Sequence, residues 1–200
     1  MGGGIMGKGF ISLLIIFSFL IFSIQSLLAA ECITPTEGGA FPEITLSVPQ
    51  STTEMDYIGI KGKGTFNISR IRTNVVILEI FSMYCPYCQK EAPNVNELYR
   101  LINSNPYLKD KIKIIGIGAG NTPFEVEVFK KQYNVPFPLF PDESFSVHKS
   151  VGNVRTPYFF VIKINADGSN KIIYSKAGSI QDPNQFLDFI LKESGLKKEG

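Results

Sequence analysis

The stretch Val75-Val-Ile-Leu-Glu-Ile-Phe-Ser-Met-Tyr-Cys-Pro-Tyr-Cys-Gln-Lys-Glu91 decides the reading of this chain. Val75 to Phe81 is a near-continuous apolar, β-branched run, as a strand buried on both faces requires. Cys85 and Cys88 follow with two residues between them, and a helical spacing of apolar residues begins at once. A strand that hands over to a helix through Cys-X-X-Cys is how a chain builds a redox-active dithiol. At the helix N-cap, Cys85 would face the unpaired amides of the first turn and the positive end of the helix dipole, and both favour thiolate over thiol. Pro86 suits the first helical position, where its missing N–H is no loss. Cys88, one turn on, would lie beneath Cys85 and close a disulfide with it. The spacing therefore makes Cys85 the exposed attacking thiol and Cys88 the buried resolving one.

Two other uses of such a pair fit less well. A zinc site needs two further ligands at compatible spacing. The chain offers only Cys32 and its single histidine, His148, and neither sits in a second paired motif. A purely structural disulfide would not need a strand-to-helix junction with proline at the first helical position.

Two hundred residues, 44% hydrophobic and 19% charged, leave room for one soluble domain of ordinary size. A net charge of +2 gives no electrostatic footprint for a nucleic-acid partner. The first thirty residues are a different material. Lys8 is their only charge, Phe10 to Ile24 is nearly all Phe, Ile, Leu and Ser, and Leu28-Ala29-Ala30 precedes the acidic Glu31. Residues 1–30 read as a secretory signal peptide with cleavage near Ala30, the alternative being an uncleaved membrane anchor through residues 10–30. Either places the domain outside the cytoplasm, in a periplasm or at the outer face of the cytoplasmic membrane. Glu31 precedes Cys32, where a lipoprotein signal would put a small residue. Cys32 is therefore read as an accessory thiol or an incidental residue near the terminus.

Residues 31–56, rich in Pro, Thr, Gly and Ser, read as an extended arm in which Phe41 to Leu46 is a short edge strand. The domain proper is expected over 57–195, with a frayed tail at 196–200. Tyr57 to Ile60 and Gly64 to Ile68, flanking Lys61-Gly62-Lys63, suggest a small hairpin. The helix after the dithiol runs from Pro86 to Ser104, with Ala92, Val95, Leu98 or Tyr99, and Ile102 inward, and Pro93 removes one hydrogen bond, so a kink is expected there. Lys113 to Ile117 is a second buried strand. The glycines that close it lack the third, spaced glycine of a dinucleotide fingerprint. Thr122, Pro123 and Glu125 open a second helix with a capping box. Phe137 to Phe140 is extended and Ser144 to Val151 a short helix. Tyr158 to Ile164 and Lys171 to Ser175 form an antiparallel hairpin across Asn165-Ala166-Asp167-Gly168. Asp182-Pro183 starts a final helix that ends at Gly195. The fold class is α/β, a mixed sheet flanked by helices in three layers, with a short N-terminal hairpin extension.

Cys85-Pro86-Tyr87-Cys88, the following Gln89-Lys90-Glu91-Ala92-Pro93, the Phe137-Pro138-Leu139 segment, Thr156-Pro157 and the Asp167-Gly168 hairpin carry a resemblance. From Phe41 to Leu191 the chain resembles the thioredoxin-fold thiol–disulfide oxidoreductases of the exported TlpA/ResA-like family. The resemblance implies that Pro157 is cis and sits against the dithiol, with the backbone of Thr156 pairing with a bound substrate. Tyr84, Pro86 and Tyr87 complete the implied substrate surface. Glu79 lies six residues before Cys85, where thioredoxin-like proteins often carry a buried acid. A carboxyl in so apolar a strand should have a raised pKa and could exchange a proton with Cys88; a solvated edge glutamate is the alternative. Glu91 matches an active-site acid of the ResA-like group, and is equally an ordinary first-turn acid favoured by the helix dipole. Tyr84 stands where the family usually has Trp, and the chain contains no Trp. Pro86-Tyr87 has neither the histidine of a potent oxidase nor the Gly-Pro of thioredoxin.

The leading expectation is an extracytoplasmic protein-disulfide reductase that needs no dissociable cofactor and no metal. Cys85 attacks, Cys88 resolves, Glu79 and Glu91 handle protons, and Thr156 and Pro157 dock the substrate. The resemblance implies protein disulfide or dithiol partners, apocytochrome c thiols among them, and a membrane thiol carrier as electron donor. The run Leu78 to Ser82 resembles DsbA-like oxidases, which keeps an oxidase or isomerase as the alternative. A peroxiredoxin-like peroxidase is disfavoured because Leu78 stands where a proline is expected and Cys88 is too near. A thioredoxin-fold copper chaperone is disfavoured by the short gap between the cysteines.

Overall fold

The computed structural model describes residues 33–199. The segment read as a signal peptide or anchor, and Cys32, lie outside the described residues. Among the described residues no helix is long and apolar enough to cross a membrane.

The expected central strand, β3 (Val75–Phe81), is buried at every position, and two short strands, β1 (Thr45–Ser47) and β2 (Thr65–Asn67), lie earlier in the chain. It pairs in parallel with β4 (Ile112–Ala119) and antiparallel with β6 (Tyr158–Ile164). The sheet is completed by β5 (Leu139–Asp142) beside β4 and β7 (Asn170–Ala177) beside β6, giving the order β5-β4-β3-β6-β7. Residues alternate between faces along a strand. Val76, Leu78 and Ile80 therefore enter one core with Ile115, Ile117, Phe160 and Ile162. Val75, Ile77 and Phe81 enter the other, with Cys88, Val95, Leu98 and Ile190. By the same alternation Glu79 points into the second core, toward the helix that carries the dithiol.

That helix, α2 (Pro86–Asn103), runs unbroken through Pro93. It shares its face of the sheet with α5 (Pro183–Ser194), which Asp182 caps through its side chain and Gly195 ends. α3 (Pro123–Gln132) has the capping box read from the sequence, with Thr122 and Glu125 bonding reciprocally. α4 (Ser146–Ser150) is a short turn of helix after β5.

The N-terminal region differs from the sequence reading. Thr52–Ile58 is a helix, α1, and not the end of an extended arm followed by a hairpin strand. Ser51 and Glu54 at N-cap spacing, and Gly59 in the left-handed conformation at the end, define it, and both signals are in the sequence. What decides it is Tyr57. Its hydroxyl accepts the amide of Ile114 at 2.8 Å and its ring packs on Tyr99, contacts that a surface hairpin could not make. The two-stranded antiparallel unit exists, but it joins β1 (Thr45–Ser47) to β2 (Thr65–Asn67) across that helix. Phe41, Ile44, Leu46 and Phe66 from this region fill the first core.

Candidate active site

Cys85 is the N-cap of α2, and Pro86 is its first helical residue. The turn that delivers Cys85 is fixed at three points. The amide of Cys85 donates to the Ser82 carbonyl at 3.0 Å. The amide of Met83 donates to the side-chain oxygen of Asn121 at 2.9 Å, and the carbonyl of Met83 accepts the Gln89 side-chain amide at 2.8 Å. Asn121 is wholly buried in the loop after β4. A Cβ on Gly118 would come within 3.1 Å of the Asn121 side chain and 2.9 Å of Val126, so this glycine leaves the space Asn121 needs.

Seventy-one residues on, the Thr156–Pro157 peptide is cis and opens β6. It brings the Thr156 carbonyl to 3.4 Å from the Cys85 sulfur. The loop ahead of it hangs on His148, whose ring nitrogen donates to the Val154 carbonyl at 2.8 Å while its own carbonyl accepts the amide of Asn153.

The two thiols differ. Cys85 is partly exposed and Cys88 is fully buried; both are free. Partial burial works to raise the Cys85 pKa, but hydrogen bonding to the Thr156 side chain, the Cys88 amide and thiol and the Tyr87 amide outweighs it, so the thiol sits below its ordinary value. Cys88 is pushed far up, chiefly by burial, with the nearby charges of Glu79 and Cys85 adding to it.

Both expected carboxyls are here, and both are buried. Glu79 is pushed up to about 8 by burial first, then by the charges of Glu91 and Cys85. Glu91 is held: one oxygen accepts the backbone amide of Ile180 at 2.8 Å and the other accepts from Asn94 at 3.3 Å. It lies in the second turn of α2 and is buried, so it is not the first-turn surface acid that the sequence allowed. Tyr84 and Tyr87 are exposed, and the Tyr84 hydroxyl donates to Glu125 at the start of α3.

An accessible thiol with a lowered pKa, a buried thiol one turn below it and a carboxyl with a pKa of about 8 form an arrangement that can support thiol–disulfide exchange. Among the described residues no group of three or more His, Cys, Asp or Glu is gathered that could hold a metal. The sequence reading missed Asn121, Gln89 and His148. For Gln89 the signal was its adjacency to Cys88, but for Asn121 and His148 nothing local pointed to the site.

A five-stranded mixed sheet with the dithiol at the β3–α2 junction and a cis-proline opposite defines a thioredoxin-like protein. The chain belongs to the Redoxin family, whose model matches residues 36–188. It is 32% identical over 133 residues to the thiol–disulfide oxidoreductase ResA of Bacillus thuringiensis, covering 66% of this chain and 64% of that protein. It is 26% identical over 178 residues to the ResA of Geobacillus thermodenitrificans, covering 89% of this chain and 91% of the relative. A thiol:disulfide interchange protein from Bacteroides sp. has the same fold, with a TM-score of 0.59 and 14% identity over 84% of this chain and 96% of that one. The resemblance to ResA-like proteins drawn from the sequence is borne out.

Proposed function

We propose that this protein is an exported thiol–disulfide oxidoreductase that reduces protein disulfides through Cys85 and Cys88. The observation that carries the reading is the asymmetry of the two thiols: one accessible and acidified, the other buried and held protonated. The Cys85 thiolate attacks one sulfur of a substrate disulfide, forming a mixed disulfide and releasing the other sulfur as a thiolate that takes a proton from solvent. Cys88 then gives its proton to the Glu79 carboxylate and attacks the Cys85 sulfur. The second substrate sulfur leaves as a thiolate and is protonated in turn. The substrate has gained two electrons, and the protein is left with a Cys85–Cys88 disulfide. With a pKa of about 8, Glu79 can accept that proton and return it near neutral pH. The charge of Glu91 adds to burial in raising the Glu79 pKa into that range. Thr156 and Pro157 dock the substrate backbone beside Cys85, with Tyr84, Pro86 and Tyr87 around it.

The direction follows from the balance on Cys85. A lower attacking-thiol pKa makes a couple more oxidising. Here no histidine or basic residue stands between the cysteines to lower it further, and the Glu79 carboxyl is near enough to the thiol for their charges to repel. The expected potential lies between about −270 and −120 mV, nearer the reducing end. Such a protein acts as a reductase, with protein thiols such as those of apocytochrome c as substrates and a membrane thiol carrier restoring the dithiol. Export is supported by the apolar leader at residues 1–30.

Two measurements test this. Cys88→Ser should accumulate mixed disulfides with an unfolded disulfide-bonded protein, while Cys85→Ser should not; equal trapping by both rules out the assignment of roles. Equilibration with glutathione should give a potential in the lower half of that range. A value near that of DsbA would make the protein an oxidase.

A further inference from the structure

Beside the dithiol lies a cavity of about 490 Å³ whose lining includes Thr156, which touches the Cys85 sulfur. Tyr87, Thr156, Pro157, Glu91 and Asn94 line it. Lys90 on α2 and Arg155, just before the cis-proline pair, complete the lining. Both cations are exposed, and neither takes part in a hydrogen bond or ion pair among the described residues. The one carboxylate in the lining is not free to pair with them. Glu91 is buried, and its two oxygens already accept from Ile180 and Asn94. The lining therefore carries two exposed side-chain cations without an ion-pair partner against one buried carboxylate, and presents a net positive charge to whatever enters it, with one cation on each of the elements that flank Cys85.

Because Thr156 both lines this cavity and contacts Cys85 at 3.4 Å, a polypeptide whose cysteine sits on Cys85 must place a neighbouring side chain here. We propose that the cavity selects an acidic side chain, Asp or Glu, next to the reacting cysteine of a protein substrate, with Arg155 and Lys90 as the specificity-determining residues. An arginine fork matches a carboxylate in a bidentate pair, and Lys90 adds a second point charge. The exposed ring of Tyr87 covers the aliphatic stem. This inference rests on the disulfide-reductase reading and adds the substrate class to it. Small disulfides with free carboxylates share the charge but not the backbone beside the cysteine.

The test uses disulfide-linked peptides alike except for the residues flanking the cysteine, which are Glu, Gln or Lys. For the wild-type protein at low ionic strength, kcat/KM should fall in the order Glu, Gln, Lys, with about a five-fold gap between Glu and Lys, as expected for exposed ion pairs. The gap should close as salt shortens the Debye length below ~10 Å. The Lys90→Glu, Arg155→Glu double variant should invert the order, and Lys90→Gln, Arg155→Gln should flatten it. The ratio between peptides within one variant is the readout, so a general loss of rate does not obscure it. Equal reduction of the Glu and Lys peptides by the wild-type protein overturns the proposal while leaving the reductase reading standing. Failure to reduce any of the three overturns that reading and the proposal with it. Faster reduction of glutathione disulfide than of the Glu peptide overturns the assignment to a polypeptide side chain.

Discussion

The side-chain oxygen of Asn121 accepts the amide of Met83 at 2.9 Å, so the loop after β4 holds the turn that presents Cys85. The two residues are 38 positions apart, and Asn121 makes this contact from full burial. The same turn is gripped from the other side by Gln89. A reactive sulfur must be held to within a few tenths of an ångström to attack productively, and here the sheet, through β4, does the holding.

Asn121→Ala should therefore leave the Met83 amide without its partner and open a small cavity. We expect a loss of about 2 kcal/mol in urea unfolding and slower alkylation of Cys85. Gly118→Ala should reproduce part of the defect by pushing on the Asn121 side chain. A wild-type unfolding midpoint and a wild-type Cys85 rate in Asn121→Ala would show that the turn stands without this bond.

Alkylation of the reduced protein should modify Cys85 and leave Cys88 untouched. Its rate should rise with a midpoint below the ordinary thiol value, because hydrogen bonds to the sulfur outweigh its partial burial. Thr156→Val keeps the side-chain volume and removes the hydroxyl, so its midpoint should move upward. An unchanged midpoint would remove the Thr156 side chain from the tuning of Cys85.

Glu79 gives a dependence of stability on pH. Its folded pKa of about 8 lies above the ordinary carboxyl value of 4.5, so between these limits the native state holds a proton that the unfolded state has released. Raising the pH through that window therefore destabilises the native state, by ~1.4 kcal/mol for each pH unit crossed. Glu79→Gln removes this dependence. The variant should match or modestly exceed the wild type at pH 5 and exceed it by several kcal/mol at pH 8.5, when both are followed by urea unfolding. It should also release mixed disulfides more slowly, with attack little changed. A constant stability difference across this range would place Glu79 in contact with solvent.

His148 should act on substrate handling through the loop it holds. His148→Ala removes the donor to the Val154 carbonyl and frees the segment leading to Arg155, Thr156 and Pro157. A rise in KM for a protein disulfide is expected, with a stability loss of about 1 kcal/mol. His148→Gln, which keeps a side-chain N–H, should recover part of both. Wild-type KM in His148→Ala would mean that the loop is held by its backbone bonds alone.

The sequence by itself determined the parts whose cause is local. Val75 to Phe81 had to be a buried strand, since no other use of seven consecutive apolar or enclosed residues fits between a polar arm and a dithiol. Cys85 at a helix start, the capping box of Thr122 and Glu125, and the Tyr158–Ile164 strand with its turn follow from spacing and side-chain chemistry alone. The Ser51 and Glu54 signal for α1 was equally local, yet the polar composition around it suggested an extended arm. Only the packing of Tyr57 against Tyr99 and the Ile114 amide settles that segment as helix.

Tertiary structure alone decided how the site is completed. The position of Thr156 beside Cys85, the hold of Asn121 on Met83 and the Ile180 amide on Glu91 all join residues far apart in the chain. His148 and Val154, though only six positions apart, meet because a turn of helix and a loop fold back on each other. No periodicity encodes such contacts, because each depends on which elements lie side by side in the fold. The same holds for Glu79 and Glu91. Their residue types were legible, but the influence of Glu91 on Glu79 exists only because a strand and a helix bury both carboxyls beside one dithiol, where water cannot screen them.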